Sequence, residues 1–453
     1  MCAEKITISD IKSAEKLLGI TYSKSEREQM VQNLEGQILS AKLRRGIELD
    51  NTTPMASKFD PRLPGFQMPS RSDIKLQKRD IKLPKNKEDI AFASIGEQGK
   101  WIKDGLLTSR KLTEIYLERI ESFESKLECF ATVTKDQALA EADAMDLLTS
   151  AKINLGPLHG IPYGLKDLFD TKGVRTGWGA EPYQNRVPVE DAEIVKRLRA
   201  AGAVILGKTT LGALAYNDIW YGGRTKNPWN LNEGSSGSSA GSASATAAAL
   251  CSFAIGTETL GSITSPSQRC GTTGLRPTFG RVSRQGGMAL CWSLDKIGPI
   301  CRSVEDTGIV LSTLNGYDEN DLSSIRAPFN FDTSKNIKDL VIGYLPEAFE
   351  DGATEVDRAA LKVAMSLGAK VKEVKLEDLP YMSLINILYA EAAAAFEHLT
   401  LSDEDDTLTW QDDGAWPNTF RKARFLSAVD HVQLDRLRYL VMKALDNLFS
   451  EID

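Results

Sequence analysis

The stretch from residue 234 to residue 262 holds the residues whose types and spacing are best suited to chemistry. It opens with Gly-Ser-Ser-Gly-Ser-Ser-Ala-Gly-Ser at residues 234–242 and closes with Gly-Thr-Glu-Thr-Leu-Gly-Ser at residues 256–262. A run of this composition is also typical of a flexible linker. Residues 243–250, however, have helix-forming composition, and residues 252–257 form a short apolar run that predicts a strand. Because a turn that leads into a helix directs backbone N–H groups at what lies before it, the stretch predicts a site for developing negative charge.

One chemistry that this stretch could perform is that of a Ser-His-Asp hydrolase. Residues 237–241, Gly-Ser-Ser-Ala-Gly, fit the Gly-x-Ser-x-Gly nucleophile elbow with Ser239 as the nucleophile. That elbow needs a strand directly before it, but residues 226–233 form a turn-rich sequence that contains a proline. The downstream histidines that could serve as the base, His398 and His431, both lie in helical patterns. The elbow therefore stays an alternative hypothesis.

Three further motifs occur in order along the chain. The first is Gly-Pro-Leu-His-Gly-Ile-Pro-Tyr-Gly-Leu-Lys-Asp at residues 156–167, and the second is Asn-Pro-Trp at residues 227–229, which precedes the glycine- and serine-rich run. The third starts with Gly-Ser-Ile at residues 261–263, continues with Cys-Gly-Thr-Thr-Gly-Leu-Arg-Pro-Thr at residues 270–278, and ends with Ser-Leu-Asp-Lys-Ile-Gly-Pro at residues 293–299. Together and in this register, the motifs resemble those of the amidase signature family of serine hydrolases.

The resemblance implies a fold, a reaction and residues for that reaction. The fold is α/β, with a mixed sheet covered by helices on both faces, and the reaction is hydrolysis of a carboxylic amide through an acyl-serine intermediate. Carried onto this sequence, Lys166 is the base, Ser238 is the bridging serine held through a cis peptide bond, and Ser262 is the nucleophile. The oxyanion-stabilising and substrate-binding residues would be Thr259, Leu260, Gly261 and Ser239. A small-molecule amide is the implied substrate, and no metal or organic cofactor is needed.

The bridging serine can be placed in two registers, because residues 234–237 also resemble the serine doublet of the family. Counting forward from Asn227 and backward from Ser262 selects Ser238 and Ser239 in both cases. Ser235 is the fallback position.

A lysine can act as the base only when it is neutral. Lys166 would therefore need a pKa roughly 3 to 4 units below its ordinary value, which burial can supply. The apolar residues 161–165 and 168–169 around it favour such burial. An ordinary exposed lysine is the alternative for an isolated residue of this type.

The sequence departs from the family pattern close to the predicted nucleophile. Leu260 replaces a glycine, Glu258 replaces an aspartate, Thr264 stands where arginine is common, and Ala240 replaces a glycine after the serine doublet. If Leu260 adopted a positive φ, its backbone would be strained. A catalytically inactive adaptor with the same fold is therefore an alternative hypothesis.

The sequence leaves two kinds of amidase-signature protein as alternatives for this chain. Residues 416–425 and the predicted helix over 428–448 resemble the free-standing amidases. The first two predicted helices faintly resemble the small C subunit that wraps the A subunit in tRNA-dependent amidotransferases. A free-standing amidase is the preferred hypothesis, and the glutaminase subunit of such an amidotransferase is the alternative.

Composition narrows the classes of partner and compartment. The 453 residues include 55 basic and 62 acidic ones, so the net charge of −7 argues against nucleic acid and anionic membranes as partners. No long apolar run predicts a membrane span. The six cysteines are widely spaced and form no Cys-x-x-Cys pair, which indicates neither a disulfide framework nor a zinc site. These features predict a cytoplasmic protein.

Three regions are predicted along the chain: an N-terminal helical arm over residues 1–46, an extended linker over 47–87, and an amidase-signature domain over 88–453 whose C-terminal end is expected to be incomplete. In the arm, Ser9 is the predicted cap of a helix over 10–18, and a capping box begins at Ser23 or Ser25. Met30, Leu34 and Ile38 predict an apolar stripe that packs on the body of the protein or on a second copy in a homodimer. The linker carries seven basic residues between 70 and 87, a charge run expected to be solvated.

The predicted elements of the body alternate in type. Helices are predicted over 89–103, 109–123, up to 148, 191–201 and 355–367, and strands over 129–134, 204–207, 340–344 and 371–374. Such alternation is typical of an α/β layered fold.

Overall fold

A computed structural model of the protein describes residues 5–76 and 81–453. The helices are α1 Ile8–Leu18, α2 Lys24–Arg45, α3 Lys87–Phe92, α4 Ile95–Lys103, α5 Ser109–Leu127, α6 Lys135–Ser150, α7 Glu193–Ala200, α8 Ala240–Ala247, α9 Thr264–Cys270, α10 Val304–Leu314, α11 Pro346–Glu350, α12 Glu355–Ser366, α13 Ile385–Ala395, α14 Glu397–Leu401, α15 Trp416–Ala423 and α16 Ala428–Phe449. The strands are β1 Asp73–Lys75, β2 Phe130–Val133, β3 Pro162–Lys166, β4 Val204–Thr209, β5 Ile219–Trp220, β6 Gly223–Arg224, β7 Lys226–Asn227, β8 Asn230–Gly234, β9 Phe253–Glu258, β10 Thr273–Gly274, β11 Lys296–Cys301, β12 Asn330–Asp332, β13 Val341–Tyr344 and β14 Lys370–Glu373.

A six-stranded mixed sheet forms the centre of the body, in the order β10-β11-β9-β3-β4-β2. Strand β3 runs parallel to both of its neighbours, β4 and β9, whereas β2, β10 and β11 are antiparallel to the strands they join. Every residue of β3 and β4 is buried. Because successive side chains point to opposite faces of a strand, complete burial means that helices and loops cover both faces of the sheet. The predicted α/β fold is confirmed.

The N-terminal arm consists of α1 and α2 and contacts the body at the end of α2. Thr7 caps α1 in place of the predicted Ser9, because its hydroxyl accepts the Asp10 N–H while the Asp10 carboxylate accepts the Thr7 N–H. The box predicted at Ser23 is present. At the end of α2, Arg44 donates two hydrogen bonds of 2.6 and 2.8 Å to the Glu397 carboxylate, and this pair ties the arm to α14.

Before residue 104, the structure corrects one prediction of regular structure and adds a short strand to the predicted linker. The segment predicted as one helix over 89–103 is two helices, because Ser94 leaves the helical conformation and caps α4 with a hydrogen bond from the Glu97 N–H. The linker predicted over 47–87 contains β1, which pairs in parallel with β12. Within its basic run, Lys75 pairs with Asp73 and Asp332, whereas Lys78 and Arg79 lie outside the described residues.

Two central strands were not predicted from the sequence. Strands β3 and β11 each contain a proline and a glycine, residues that are depleted in strands, and their positions depend on pairing with distant segments. The remaining strands and helices that the sequence predicts are present, with ends that differ by at most four residues.

Candidate active site

Lys166 is the last residue of β3 and is fully buried. Its Nζ lies 2.8 Å from Ser238 Oγ, 3.0 Å from Ser239 Oγ and 2.8 Å from Thr257 Oγ1. The β3–β9 register explains the last contact, because Leu165 pairs with Ile255 and so brings the following residues of the two parallel strands side by side. The site therefore joins the motif at residues 156–167 to the serine-rich stretch.

Burial holds the pKa of Lys166 well below its ordinary value of 10.5. The nearby carboxylates of Asp295 and Glu258 oppose this shift, but the loss of water around the amine outweighs them. The lysine thus has the environment that a neutral base requires.

Ser238 follows a cis peptide bond, which joins it to Gly237. The chain passes so close to residue 217 that a Cβ at Gly237 would lie 1.9 Å from the Asn217 carbonyl oxygen, so only glycine fits there. Ser238 is fully buried, and among the described residues its hydroxyl contacts only the Lys166 amine.

Ser239 has a different environment from the one that the elbow hypothesis needs. Its hydroxyl donates to the Thr257 carbonyl at 3.1 Å and accepts the Thr257 N–H at 3.2 Å, and the residue is fully buried. His398 lies 3.0 Å from the Tyr183 hydroxyl instead, and no hydrogen bond links His431 to Ser239 in the described chain. The structure therefore assembles no Ser-His pair at Ser239.

The fallback serine also lies apart from the lysine. The Ser235 hydroxyl donates to the carbonyl of Ser236 at 2.9 Å, and its backbone N–H donates to the Thr225 carbonyl at 3.0 Å. The register that selects Ser238 is the one that brings a serine to Lys166.

Ser262 lies in the turn between β9 and α9 and is half-buried. Its carbonyl accepts the Ser239 N–H at 3.0 Å, which holds this turn against the start of α8. Within residues 5–76 and 81–453, the Ser262 hydroxyl makes no hydrogen bond, either with Ser238 or with any other residue. The backbone contact places Ser262 beside Ser239, the neighbour of Ser238 in the chain, and the hydroxyl of Ser262 is left available to a ligand.

The turn that holds Ser262 presents backbone N–H groups. The carboxylate of Glu258 is fully buried and accepts the N–H groups of Ile263 and Thr264, each at 2.8 Å. By contrast, the N–H groups of residues 260–262 donate to no acceptor in the part of the chain that the structure describes. The φ of Leu260 is not positive, so the strain considered for this residue does not arise, and its side chain points to solvent with 62% exposure.

Comparison with known proteins identifies the family. The family model described as Amidase matches residues 111–449. The chain belongs to this amidase family. It is 38% identical over 317 residues to the A subunit of a glutamyl-tRNA(Gln) amidotransferase from Geobacter sp. (strain M21), an alignment that covers 68% of this chain and 65% of that relative. The chain spans 60% to 65% of the length of the first such relatives.

Solved structures of amidase-family proteins share the fold. The X-ray structure of native peptide amidase from Stenotrophomonas maltophilia has a TM-score of 0.66 at 28% identity, covering 76% of this chain and 78% of that chain. A structure described as a vestigial protein complex that reveals the evolutionary origins of an s-triazine catabolic enzyme has a TM-score of 0.72 at 30% identity, covering 80% of each chain.

A cavity of about 660 Å³ lies beside the candidate active site, where Thr257 contacts Lys166. Thr257 and Thr259 line it at the end nearest to Lys166, and Leu168, Phe169 and Met288 are among its apolar wall residues. Its volume lies within the range of pockets that hold small organic ligands.

The described residues contain neither a membrane span nor a metal-binding cluster. None of their helices has both the length and the apolar character that a membrane span needs, and no group of His, Cys, Asp and Glu side chains among them could hold a metal ion.

Sequence reasoning missed two residues that support the site. Thr257 binds the lysine amine directly, although it was predicted only as part of a strand. Asp295 accepts the Thr259 hydroxyl at 2.6 Å and the N–H groups of Leu290 and Cys291, so it anchors the loop that leads to Ser262. The position of Asp295 inside the third motif was the one available signal.

A second buried lysine, Lys208, pairs with Asp167, the residue that follows Lys166. Lys208 Nζ lies 3.7 Å from the carboxylate of Asp167 and donates to the Phe169 carbonyl at 2.6 Å and to the Thr176 hydroxyl at 2.7 Å. Burial raises the pKa of Asp167 to about 6 and lowers that of Lys208 to about 8, while the opposite charge of each partner limits the shift of the other. The pair fixes the chain directly after Lys166.

Lys208→Met is expected to lower the free energy of unfolding by about 3 to 5 kcal/mol, because it leaves the buried Asp167 carboxylate without its counter-charge. Urea denaturation followed by circular dichroism would measure the change. The double variant Asp167→Asn with Lys208→Met should recover much of the loss, because it removes both charges. A double variant as unstable as the single one would contradict a role for the ion pair.

Proposed function

We propose that the protein is an amidase that hydrolyses a carboxylic amide C–N bond through an acyl-serine intermediate, with Lys166, Ser238 and Ser262 as its triad. The observation that carries this proposal is the 2.8 Å contact between the fully buried Lys166 amine and the Ser238 hydroxyl. Membership of the amidase family supports the same reaction class.

The hydrogen bonds around Lys166 support a direction for proton transfer. Ser239 donates its own proton to the Thr257 carbonyl, so its oxygen can only accept from the lysine. With the Thr257 hydroxyl accepting the second N–H, a neutral amine keeps its lone pair for the Ser238 proton. Lys166 is thus arranged to act as the base toward Ser238.

The proposed reaction proceeds in two halves. As Ser262 Oγ attacks the amide carbonyl, its proton passes to Ser238 and the Ser238 proton passes to Lys166. The N–H groups of residues 260–262 stabilise the negative charge on the carbonyl oxygen. The C–N bond then breaks, the leaving nitrogen takes the proton back along the same path, and the Ser262 ester remains. Water attacks this ester by the same relay and releases the carboxylic acid.

A second candidate is the glutaminase subunit of a tRNA-dependent amidotransferase. The names of the relatives favour it, since they are the A subunits of glutamyl-tRNA(Gln) amidotransferases. The same triad would then release ammonia from glutamine, with partner subunits required. The inactive adaptor has less support, because Leu260 adopts an ordinary backbone conformation and the lysine contact is intact.

The compartment and assembly are part of the proposal. We propose a cytoplasmic enzyme, supported by the five cysteines of the described residues, which are all buried and free, and the homodimer remains a hypothesis for its assembly.

Ammonia release from a panel of amides is the experiment that tests the proposed function. Acetamide, hexanamide, benzamide and glutamine would be incubated with the purified protein, and a fluorophosphonate adduct would be mapped by mass spectrometry in parallel. We expect release from at least one amide and an adduct on Ser262. Turnover of glutamine only after partner subunits are added would favour the second candidate, and neither turnover nor adduct would contradict both.

A further inference from the structure

The segment over residues 51–58, here called the strap, runs along the mouth of the cavity. Asn51, Pro54, Met55 and Lys58 are among the residues of the strap that line the cavity, on an element far in sequence from the amidase-family motifs. The strap therefore lines the same cavity as Thr257, whose hydroxyl binds the Lys166 amine.

Contacts at both ends hold the strap in place. The Asn51 side chain donates to the Ala289 carbonyl at 2.8 Å and accepts the Ala289 N–H at 2.8 Å, a two-point contact that fixes it to the opposite wall. After the strap, the Phe59 ring packs edge-on against Phe279 at 5.4 Å, and the Arg438 guanidinium lies 4.4 Å from its centroid. These contacts give the strap a fixed position above the cavity.

The charged groups inside the cavity are already paired. Asp170 receives two hydrogen bonds from Arg186, at 2.7 and 2.8 Å. Asp295 accepts three hydrogen bonds from the protein, and the Asp321 carboxylate accepts the backbone N–H of Arg284 at 2.8 Å. A charged ligand would have to break these pairs or go unpaired, and either is unfavourable where the charged groups are largely removed from water.

Apolar residues line the cavity on both the body side and the strap, between polar ones such as Gln285 and Ser323. Leu168, Phe169 and Met288 lie on the body side, and Met55 faces the cavity from the strap and is half-buried. Lys58 and Glu190, the charged residues at the mouth, are exposed. An apolar chain that extends from the triad toward the strap would bury its surface without displacing an ion pair.

We infer that this amidase takes uncharged amides that carry an extended apolar arm, and that the strap, through Met55, sets the length of that arm. The inference rests on the proposed amidase function. The cavity of about 660 Å³ is far larger than acetamide needs, which is consistent with an arm of several carbon atoms.

The test compares arm lengths in wild type and Met55→Trp. Alkanamides from acetamide to decanamide vary the acyl side, and N-alkylacetamides of the same lengths vary the amine side. We expect wild type to prefer a long arm in at least one series. In Met55→Trp, the ratio of kcat/KM for the eight-carbon arm to that for the shortest arm should fall by about tenfold or more, because the indole occupies space that the arm needs.

Matched variants keep the test informative. Phe66→Ala changes an exposed apolar residue of the same connector outside the cavity and should leave the ratio at its wild-type value. Met55→Ala should shift the preference toward longer arms, and thermal unfolding midpoints of all variants would verify that they fold.

Two outcomes would overturn this inference without overturning the proposed amidase function. One is an unchanged ratio of kcat/KM values in both Met55 variants, and the other is glutamine as the preferred substrate. Short- and long-chain fluorophosphonates separate this failure from failure of the proposed function. Labelling of Ser262 with an unchanged ratio would overturn only the role of the strap, whereas absence of labelling by every probe would overturn the amidase proposal on which it rests.

Discussion

Ser262→Ala is expected to abolish amide hydrolysis, with a fall in kcat on the order of 10⁴- to 10⁶-fold. The physical reason is that no other hydroxyl can replace it: Ser238 is fully buried against Lys166, and Ser239 is fully buried against Thr257. Ser262 is half-buried, and no partner among the described residues occupies its hydroxyl. Steady-state ammonia release from the preferred amide would measure the effect.

Ser239→Ala is the matched control for this experiment. It removes a hydroxyl from a serine of the doublet, but that hydroxyl positions the lysine and Thr257 rather than attacking the substrate. We expect a smaller loss of kcat than for Ser262→Ala and an adduct that still maps to Ser262. An adduct on Ser239 that is lost with His398→Ala or His431→Ala would contradict the triad and support the elbow hypothesis.

The motifs in the sequence selected residues that lie close together in the structure, whereas the strands that position them were harder to predict. Of the two serines considered for the bridging position, Ser238 contacts the lysine and Ser235 bonds within its own loop. Strand β3, which carries Lys166, was not predicted, because Pro162 and Gly164 lower its intrinsic strand preference. A Cβ at Gly164 would lie 2.8 Å from the Thr209 methyl group, so the glycine is set by packing against β4 rather than by local preference.

Contacts between distant segments account for what sequence reasoning did not find. The bond between Thr257 and Lys166 joins residues 91 positions apart and depends on the register of the parallel strands β3 and β9. The strap gave no periodic signal, since its proline and polar residues are typical of a connector. Its closeness to the cavity follows from Asn51 binding the backbone of Ala289, a residue 238 positions away. Such contacts arise from the fold as a whole.

Lys166→Met is expected to lower kcat by between about 10²- and 10⁴-fold, because it removes the group that takes the Ser238 proton. In wild type, the neutral fraction of Lys166 rises with pH through its depressed pKa, so kcat should rise with pH and level off well below pH 10.5. Lys166→Arg should be inactive at every pH, because the guanidinium stays protonated. Activity of Lys166→Met with the wild-type pH profile would contradict the assignment of the base.

The same substitution should reveal the cost of burying the amine. Unfolded Lys166 is protonated up to its ordinary pKa of 10.5, whereas the folded protein holds it neutral from the depressed pKa upward. Folding therefore releases a proton between these two values, and stability rises with pH across that window and is constant below it. Relative to Lys166→Met, wild type should gain about 1.4 kcal/mol of unfolding free energy for each pH unit in the window. Urea denaturation of both proteins between pH 6 and 10 would measure this difference, and parallel stability curves would mean that the lysine is charged in the folded state.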